Sequence, residues 1–226
     1  MEKIWHLKRF NFFTCLTQNE MIEFSKQTIE KRYAKKEMIF LPGDNSDKVY
    51  LLKAGVVKVS KFSENGKEII LAMVNPGEIF GEMALVDQGK RETVAEALMD
   101  SYVCIVSRDN FMSYLQQNPE MSLQITKIMG LKFKRMGQKV EDLVFRTVYQ
   151  RLAGLLLLLM DEYGYSKNEK IYIRVKLTHY DIASLIGSTR ETTTACLNDF
   201  RRDGLLEFDG RKIVILDRAG LEARAK

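Results

Sequence analysis

"LTHYDIASLIGSTRETTTACLNDFRRDGLLEFDGRKIVIL", residues 177–216, carries the densest run of local signals in this 226-residue chain. Thr178 stands where a helix N-cap belongs, with Asp181 three residues on as its first-turn acid. The helix "HYDIASLIG" has the small Ala183 where a second helix must cross closely. It closes on Gly187, which adopts the positive φ of a sharp turn without a Cβ clash. Ser188 or Thr189 then caps "RETTTACLNDFRRDG", whose Leu197 and Phe200 face inward while Arg190, Glu191 and Thr194 face outward. Gly204 ends that helix, and "LLEFDGRKIVIL" folds back through Asp209-Gly210 as a hairpin. Cap, small residue, turn glycine, basic first turn and hairpin in this order predict a winged helix-turn-helix.

Such a motif presents the first turn of its second helix to the DNA major groove. Arg190 can pair bidentately with a guanine there, and Glu191 can accept from a cytosine amino group. Thr178, Thr189 and Lys212 are candidates for phosphate, which sets register without reading sequence. Ser188 and Thr194 complete the expected DNA-binding set. The formal net charge of +5 permits a nucleic-acid partner without proving one.

Upstream, "PEMSLQITKIMGLKFKRMGQKVEDL" (119–143) follows Asn118, a candidate N-cap, and repeats apolar residues at spacings near three and four. It predicts a long amphipathic helix with a self-pairing face at Ile125, Ile128, Met129, Met136, Val140 and Leu143. Residues 108–117 and 146–163 read as further helices, "GYSKNEK" as a polar loop and "IYIRV" as a strand. From 29 to about 108 the pattern is short strands broken by glycine turns, with Asn65-Gly66 the clearest hairpin signal. A small barrel or sandwich is expected, preceded by a short helix at 17–27 capped by Thr17 or Asn19.

Composition bounds the alternatives. With 46% hydrophobic and 29% charged residues the chain has the balance of an ordinary globular protein. The longest apolar run, "LAGLLLLLM" (152–160), is half a membrane span, and "MEKIWHLKRF" lacks a signal-peptide core, so a cytoplasmic protein without a membrane partner is expected. Cys15, Cys104 and Cys196 are far apart, as are His6 and His179, so no metal site or cofactor is predicted. No nucleophile–base pair or phosphate-binding Walker loop points to an enzyme.

A second stretch, "FGEMALVDQGKRETVAEA" (80–97), offers a glycine turn and an arginine suited to an anion, with an acid beside that arginine. Taken with "GSTRETTTACLNDFRRDGLL", it makes nearly the whole chain resemble the family of the cyclic-AMP receptor protein and FNR. The resemblance implies an α+β fold: a cyclic-nucleotide-binding-like β-barrel of jelly-roll type (1–117), a long dimerisation helix (118–145) and a winged helix-turn-helix domain (146–226). It implies an effector cassette at Gly81, Glu82, Met83, Ala84, Arg91, Glu92, Thr93 and Met136. Glu82 corresponds to the ribose-binding glutamate and Arg91 to the phosphate-binding arginine. Glu92 occupies the place of a phosphate-donating hydroxyl. Met136-Gly137 replace the adenine-contacting Thr-Ser pair. Where the family carries a second base-contacting arginine, four residues after the glutamate, this chain has Ala195.

The resemblance therefore implies a homodimeric transcription regulator, an activator that touches RNA polymerase and binds a pseudo-palindromic duplex, and that is not controlled by cyclic AMP. The two cassette departures lead to the expectation that Arg91 and Glu92 pair with each other or read something else. Alternatives stay open: an effector such as cyclic di-GMP or a small anion, a haem held by His6 or Cys15, a redox-sensing cysteine, no effector at all, or a nucleotide-sensing module that acts on a protein partner.

Overall fold

Antiparallel strands build the N-terminal half. The computed structural model describes residues 10, 13, 16–87, 89–168 and 170–226; His6 and Cys15 lie outside the described residues. The chain divides into two compact units, and the boundary falls inside the long helix. The first takes residues up to Lys134 except 67–70; the second takes Lys67–Ile70 and Arg135–Lys226.

In the first unit, α1 (Gln18–Lys26) is closed by a Thr17/Glu20 capping box. Eight strands follow: β1 (Thr28–Tyr33), β2 (Met38–Phe40), β3 (Lys48–Ala54), β4 (Val57–Phe62), β5 (Glu68–Val74), β6 (Ile79–Phe80), β7 (Val94–Ala97) and β8 (Ser101–Ser107). They form two four-stranded sheets, ordered β1-β8-β3-β6 and β2-β7-β4-β5. The β3 run "VYLLK" is buried throughout because alternate residues serve two cores. Tyr50 and Leu52 point between the sheets, with Phe40, Val57, Phe80, Ala95 and Val103. Val49 and Leu51 point the other way, onto Phe24, Phe111, Met121 and Ile125. Those last residues come from α1, α2 (Arg108–Gln117) and the start of α3 (Pro119–Phe145). Asn118 does not cap α3 through its side chain: its amide donates to the Tyr114 carbonyl and closes α2 instead.

In the second unit, α4 (Val148–Tyr163) carries Leu152, Leu156 and Leu159 into the core, which explains the leucine run as a buried helix face. A four-stranded sheet follows, ordered β11-β12-β10-β9, from β9 (Gly164–Lys167), β10 (Lys170–Ile173), β11 (Leu206–Asp209) and β12 (Lys212–Ile215). Most of the expected loop "GYSKNEK" is thus strand: Gly164 to Lys167 pair antiparallel with β10, which begins at Lys170. The polar character misled because an edge strand with one face in solvent needs few apolar residues. Between these strands lie α5 (His179–Ile186) and α6 (Arg190–Arg202), and α7 (Arg218–Ala225) ends the chain.

Gly187, the C-cap of α5, has φ +64°, and a β-carbon built there would stand 2.5 Å from Leu143 Cδ2. Gly187→Ala combines left-handed strain with that clash and should destabilise the second unit by about 2 kcal/mol. Denaturant unfolding followed in both units checks this; an unchanged midpoint would refute the close-packed turn.

Candidate nucleic-acid interface and effector cassette

The two helices of the C-terminal motif are set by their caps. The Thr178 hydroxyl accepts from the Asp181 amide while Asp181 returns a bond, and Thr189 accepts from Thr192 N at 3.2 Å. Thr189 rather than Ser188 is therefore the cap of α6. Thr193, Cys196, Leu197 and Phe200 turn inward, and the exposed positions of the first turns are Arg190, Glu191, Thr192 and Ala195, with Asn198 one turn further. Thr194 is half-buried and lies 2.9 Å from His179 Nδ1, which ties the start of α5 to α6. Burial, and after it the charge of Arg190, lowers the His179 pKa from its ordinary value. Thr178, His179, Tyr180 and Arg190 line one open cleft. The sequence marks His179 only as an isolated histidine without a metal partner, and it does not mark Tyr180 or Asn198, because single polar residues on a helix carry no periodic signal.

In the first unit, Gly81 has φ +69° and starts a single 3-10 turn, Glu82–Leu85. A β-carbon at Gly81 would meet the Tyr50 ring at 2.8 Å and Arg91 Nη1 at 3.1 Å, so the turn is packed directly on the arginine. Arg91 is buried: Nη1 donates to the Gly81 carbonyl at 2.9 Å and Nη2 to the Lys48 carbonyl. Its guanidinium also lies 4.6 Å from the Phe40 ring centre and 5.6 Å from that of Tyr50. Glu82 meets Lys132 of α3 at 2.8 Å, and the same ammonium donates to the Ile79 carbonyl at 2.7 Å. Met83 is exposed, Ala84 is buried and its carbonyl accepts from Arg108 Nε, and Thr93 is half-buried before β7.

The expected Arg91–Glu92 pair does not form. The two side chains part just before β7: Arg91 is buried, while the exposed Glu92 turns out to Lys61 at 2.7 Å. Met136 belongs to the segment of the second unit and is 46% exposed.

Residues 30–118 match the cyclic nucleotide-binding domain family, and residues 150–224 match the Crp-like helix-turn-helix domain. Transcriptional regulator LdrP of Thermus thermophilus is 31% identical over 195 residues, covering 86% of this chain and 96% of that protein. The chain belongs to the CRP/FNR family. A second relative of this CRP/FNR chain is the CRP-like cAMP-activated global transcriptional regulator of Mycobacterium tuberculosis, 27% identical over 97% of this chain and 98% of that one. A solved CRP-family transcriptional regulator from Thermus thermophilus matches with a TM-score of 0.76 at 31% identity, covering 86% of this chain and 96% of that chain. The relatives are transcription regulators, and the α+β arrangement of a cyclic-nucleotide-binding domain before a helix-turn-helix agrees with the sequence-based expectation.

On the long helix of this CRP/FNR chain the structure redistributes the expected pairing face. Ile125 is buried in its own unit, and Ile128 and Met129 pack against the same core. Leu143 packs on the turn at Gly187. What stays exposed is a stripe that keeps Val140 of the expected face and adds Leu123, Thr126, Gly130, Phe133, Gly137 and Val144, at alternating spacings of three and four, with Met136 exposed beside it. A helix carrying two apolar faces gives one blended pattern in sequence, and packing alone separates the covered face from the free one. Among the described residues no helix is long and apolar enough to cross a membrane.

Proposed function

We propose that this CRP/FNR chain is a homodimeric activator of transcription that reads a pseudo-palindromic duplex through α6 and does not respond to cyclic AMP. The observation that carries the last clause is the set of internal contacts that already engage the cassette's charged groups. Glu82 is held by Lys132, Arg91 by two carbonyls and two aromatic rings, and Glu92 by Lys61. A cyclic phosphate arriving at Arg91 would have to break those contacts and lie near the Glu92 carboxylate, which repels it. Ribose binding would compete with Lys132 for Glu82. The Lys132 latch supplies from within the chain the link between cassette and long helix that an effector would otherwise make.

The exposed 3-4 stripe of α3 supports pairing with a second copy. Two copies of α6 then enter successive major grooves about 34 Å apart. Arg190 and Glu191 read bases, while Thr178, Ser188, Thr189, Thr194 and Lys212 position the helix on the backbone. Ala195, exposed where the family's second base-contacting arginine would stand, leaves one base pair of each half-site without that contact.

One observation favours a second reading, in which another nucleotide or small anion gates the protein: buried Arg91 Nε has no hydrogen-bond partner among the described residues. Both readings meet one experiment. Operator affinity of ligand-stripped protein is measured alone and with cyclic AMP, cyclic GMP or cyclic di-GMP. Less than twofold change with each is expected. A tenfold rise with cyclic AMP, about 1.4 kcal/mol of coupling, would refute the proposal; the same rise with cyclic di-GMP alone would select the second reading.

A further inference from the structure

We propose that Cys104 and Lys53 are an oxidant-sensitive modification site, at which dioxygen joins them through a sulfur–oxygen–nitrogen bridge with Glu30 as the base. The site lies on the sheet β1-β8-β3-β6 and shares no residue with the cassette or with α6.

Strand register brings the three residues together. Glu30 of β1 stands opposite Cys104 of β8, and Cys104 stands opposite Leu51 of β3. The pairing of β3 with β8 slips between Leu52 and Ala54, so Lys53 is the extra residue of a β-bulge, a feature that re-aims a side chain. Because β8 lies between β3 and β1, two strand spacings of about 9.5 Å in all, Lys53 has to cross β8 to meet Glu30. It does so: Lys53 Nζ lies 2.7 Å from Glu30 Oε1. The Cys104 thiol donates to that same oxygen at 3.8 Å. One carboxylate oxygen therefore holds an amine and a thiol side by side, and it touches both of the groups that must lose a proton before they can be joined.

Lys53 is 9% and Cys104 2% exposed, and Val49, Leu51 and Val106 share the core of Cys104. A cation taken out of water in such a place is costly even when paired. Bridging makes the lysine nitrogen neutral and removes that cost, while the Glu30 side chain, 34% exposed on the edge strand, can return to water. The chemistry balances with dioxygen, which is apolar and small enough to enter a core. The ammonium gives a proton to Glu30, which passes it to solvent. The S–H bond and one N–H bond of the neutral amine then break. Sulfur and nitrogen each lose two electrons, and dioxygen takes all four. One oxygen atom joins Sγ to Nζ; the other leaves as water with the two hydrogens. Met121 and Ile125 of α3 pack in the same core as Cys104, so the bridge braces the sheet face that carries the start of the long helix.

The test uses the full-length protein, purified with reductant under nitrogen and then divided between nitrogen and air. Intact mass and peptide mapping should show, in the air sample alone, one oxygen gained and two hydrogens lost, with the Lys53 and Cys104 peptides joined. Dithiothreitol should restore the starting mass. Lys53→Arg keeps the positive charge without a primary amine, and Cys104→Ser lacks the sulfur, so neither should form the link. Glu30→Gln removes the base and should slow bridging by about tenfold or more. Unchanged thermal midpoints of the reduced variants verify their fold, and the wild-type mass decides the proposal without them. An unchanged mass in air overturns it. So does a loss of two hydrogens without oxygen, which is a disulfide to Cys15 or Cys196, and so does oxygen gained on Cys104 alone, which is a sulfenic acid. A link that persists in Lys53→Arg places the nitrogen elsewhere and overturns it too.

Discussion

Arg190→Ala is expected to weaken operator binding by about 1–3 kcal/mol per half-site, roughly 30-fold or more for a dimer engaging two, and to erase preference at one base pair of each half-site. The expectation follows from position rather than charge alone. Arg190 is the first residue of α6, exposed and held at the groove end by the Thr189 cap. A guanidinium there reaches two acceptors of one guanine with both bonds in a single plane, which a phosphate contact does not require. The loss should therefore be concentrated at one base pair, whereas losing Lys212 should weaken all sequences evenly and lower the salt slope by about one per protomer. Glu191→Ala should relax a different base pair. Folding should be unaffected, because Arg190 packs into no core. Burial is the larger cause of the depressed His179 pKa, and the same substitution removes the second, the Arg190 charge, so that imidazole should titrate at higher pH, visible by NMR. Binding-site selection with both variants is the measurement. Selectivity equal to wild type would remove α6 from the base-reading role.

Phe133→Asp should convert the proposed dimer into monomers. Phe133 is 82% exposed at the centre of the free stripe of α3, so nothing in its own chain is lost with it. In a symmetric pair each ring is buried against the partner, about 2–3 kcal/mol apiece. Asp in its place brings two carboxylates into the seam, which adds desolvation and repulsion. Association should weaken by roughly 10³-fold or more, and DNA affinity should fall with it because half-sites would be bound one at a time. Gly130 and Gly137 leave open space on either side of Phe133, room for the partner's side chains at close approach. Ile125→Ala is the matching control. It empties a core position and should cost about 2–5 kcal/mol of stability while leaving association intact. Sedimentation of the two variants separates the faces. A Phe133→Asp protein that still sediments as a dimer at micromolar concentration would place the seam elsewhere.

Much of the architecture was legible without coordinates because it rests on local rules. The α5–turn–α6 unit needs an N-cap at Thr178, a glycine at 187 and a cap at 189, all encoded within a few residues of where they act. The glycine turns and β-rich runs marked the sandwich, and the buried leucines of α4 marked a core helix. Only the tertiary structure decided which partner each charge takes and which face of α3 is free. Lys132 finds Glu82 across 50 positions and Lys61 finds Glu92 across 31, separations over which sequence carries no spacing rule. Arg91 and Glu92, neighbours in sequence, part because buried carbonyls of Gly81 and Lys48 take the guanidinium while Lys61 takes the exposed carboxylate. The apolar positions of α3 were visible as a set, but Ile125 and Phe133 became core and free surface only once the sheet and its helices claimed one side. Periodicity identifies faces; contact assigns them.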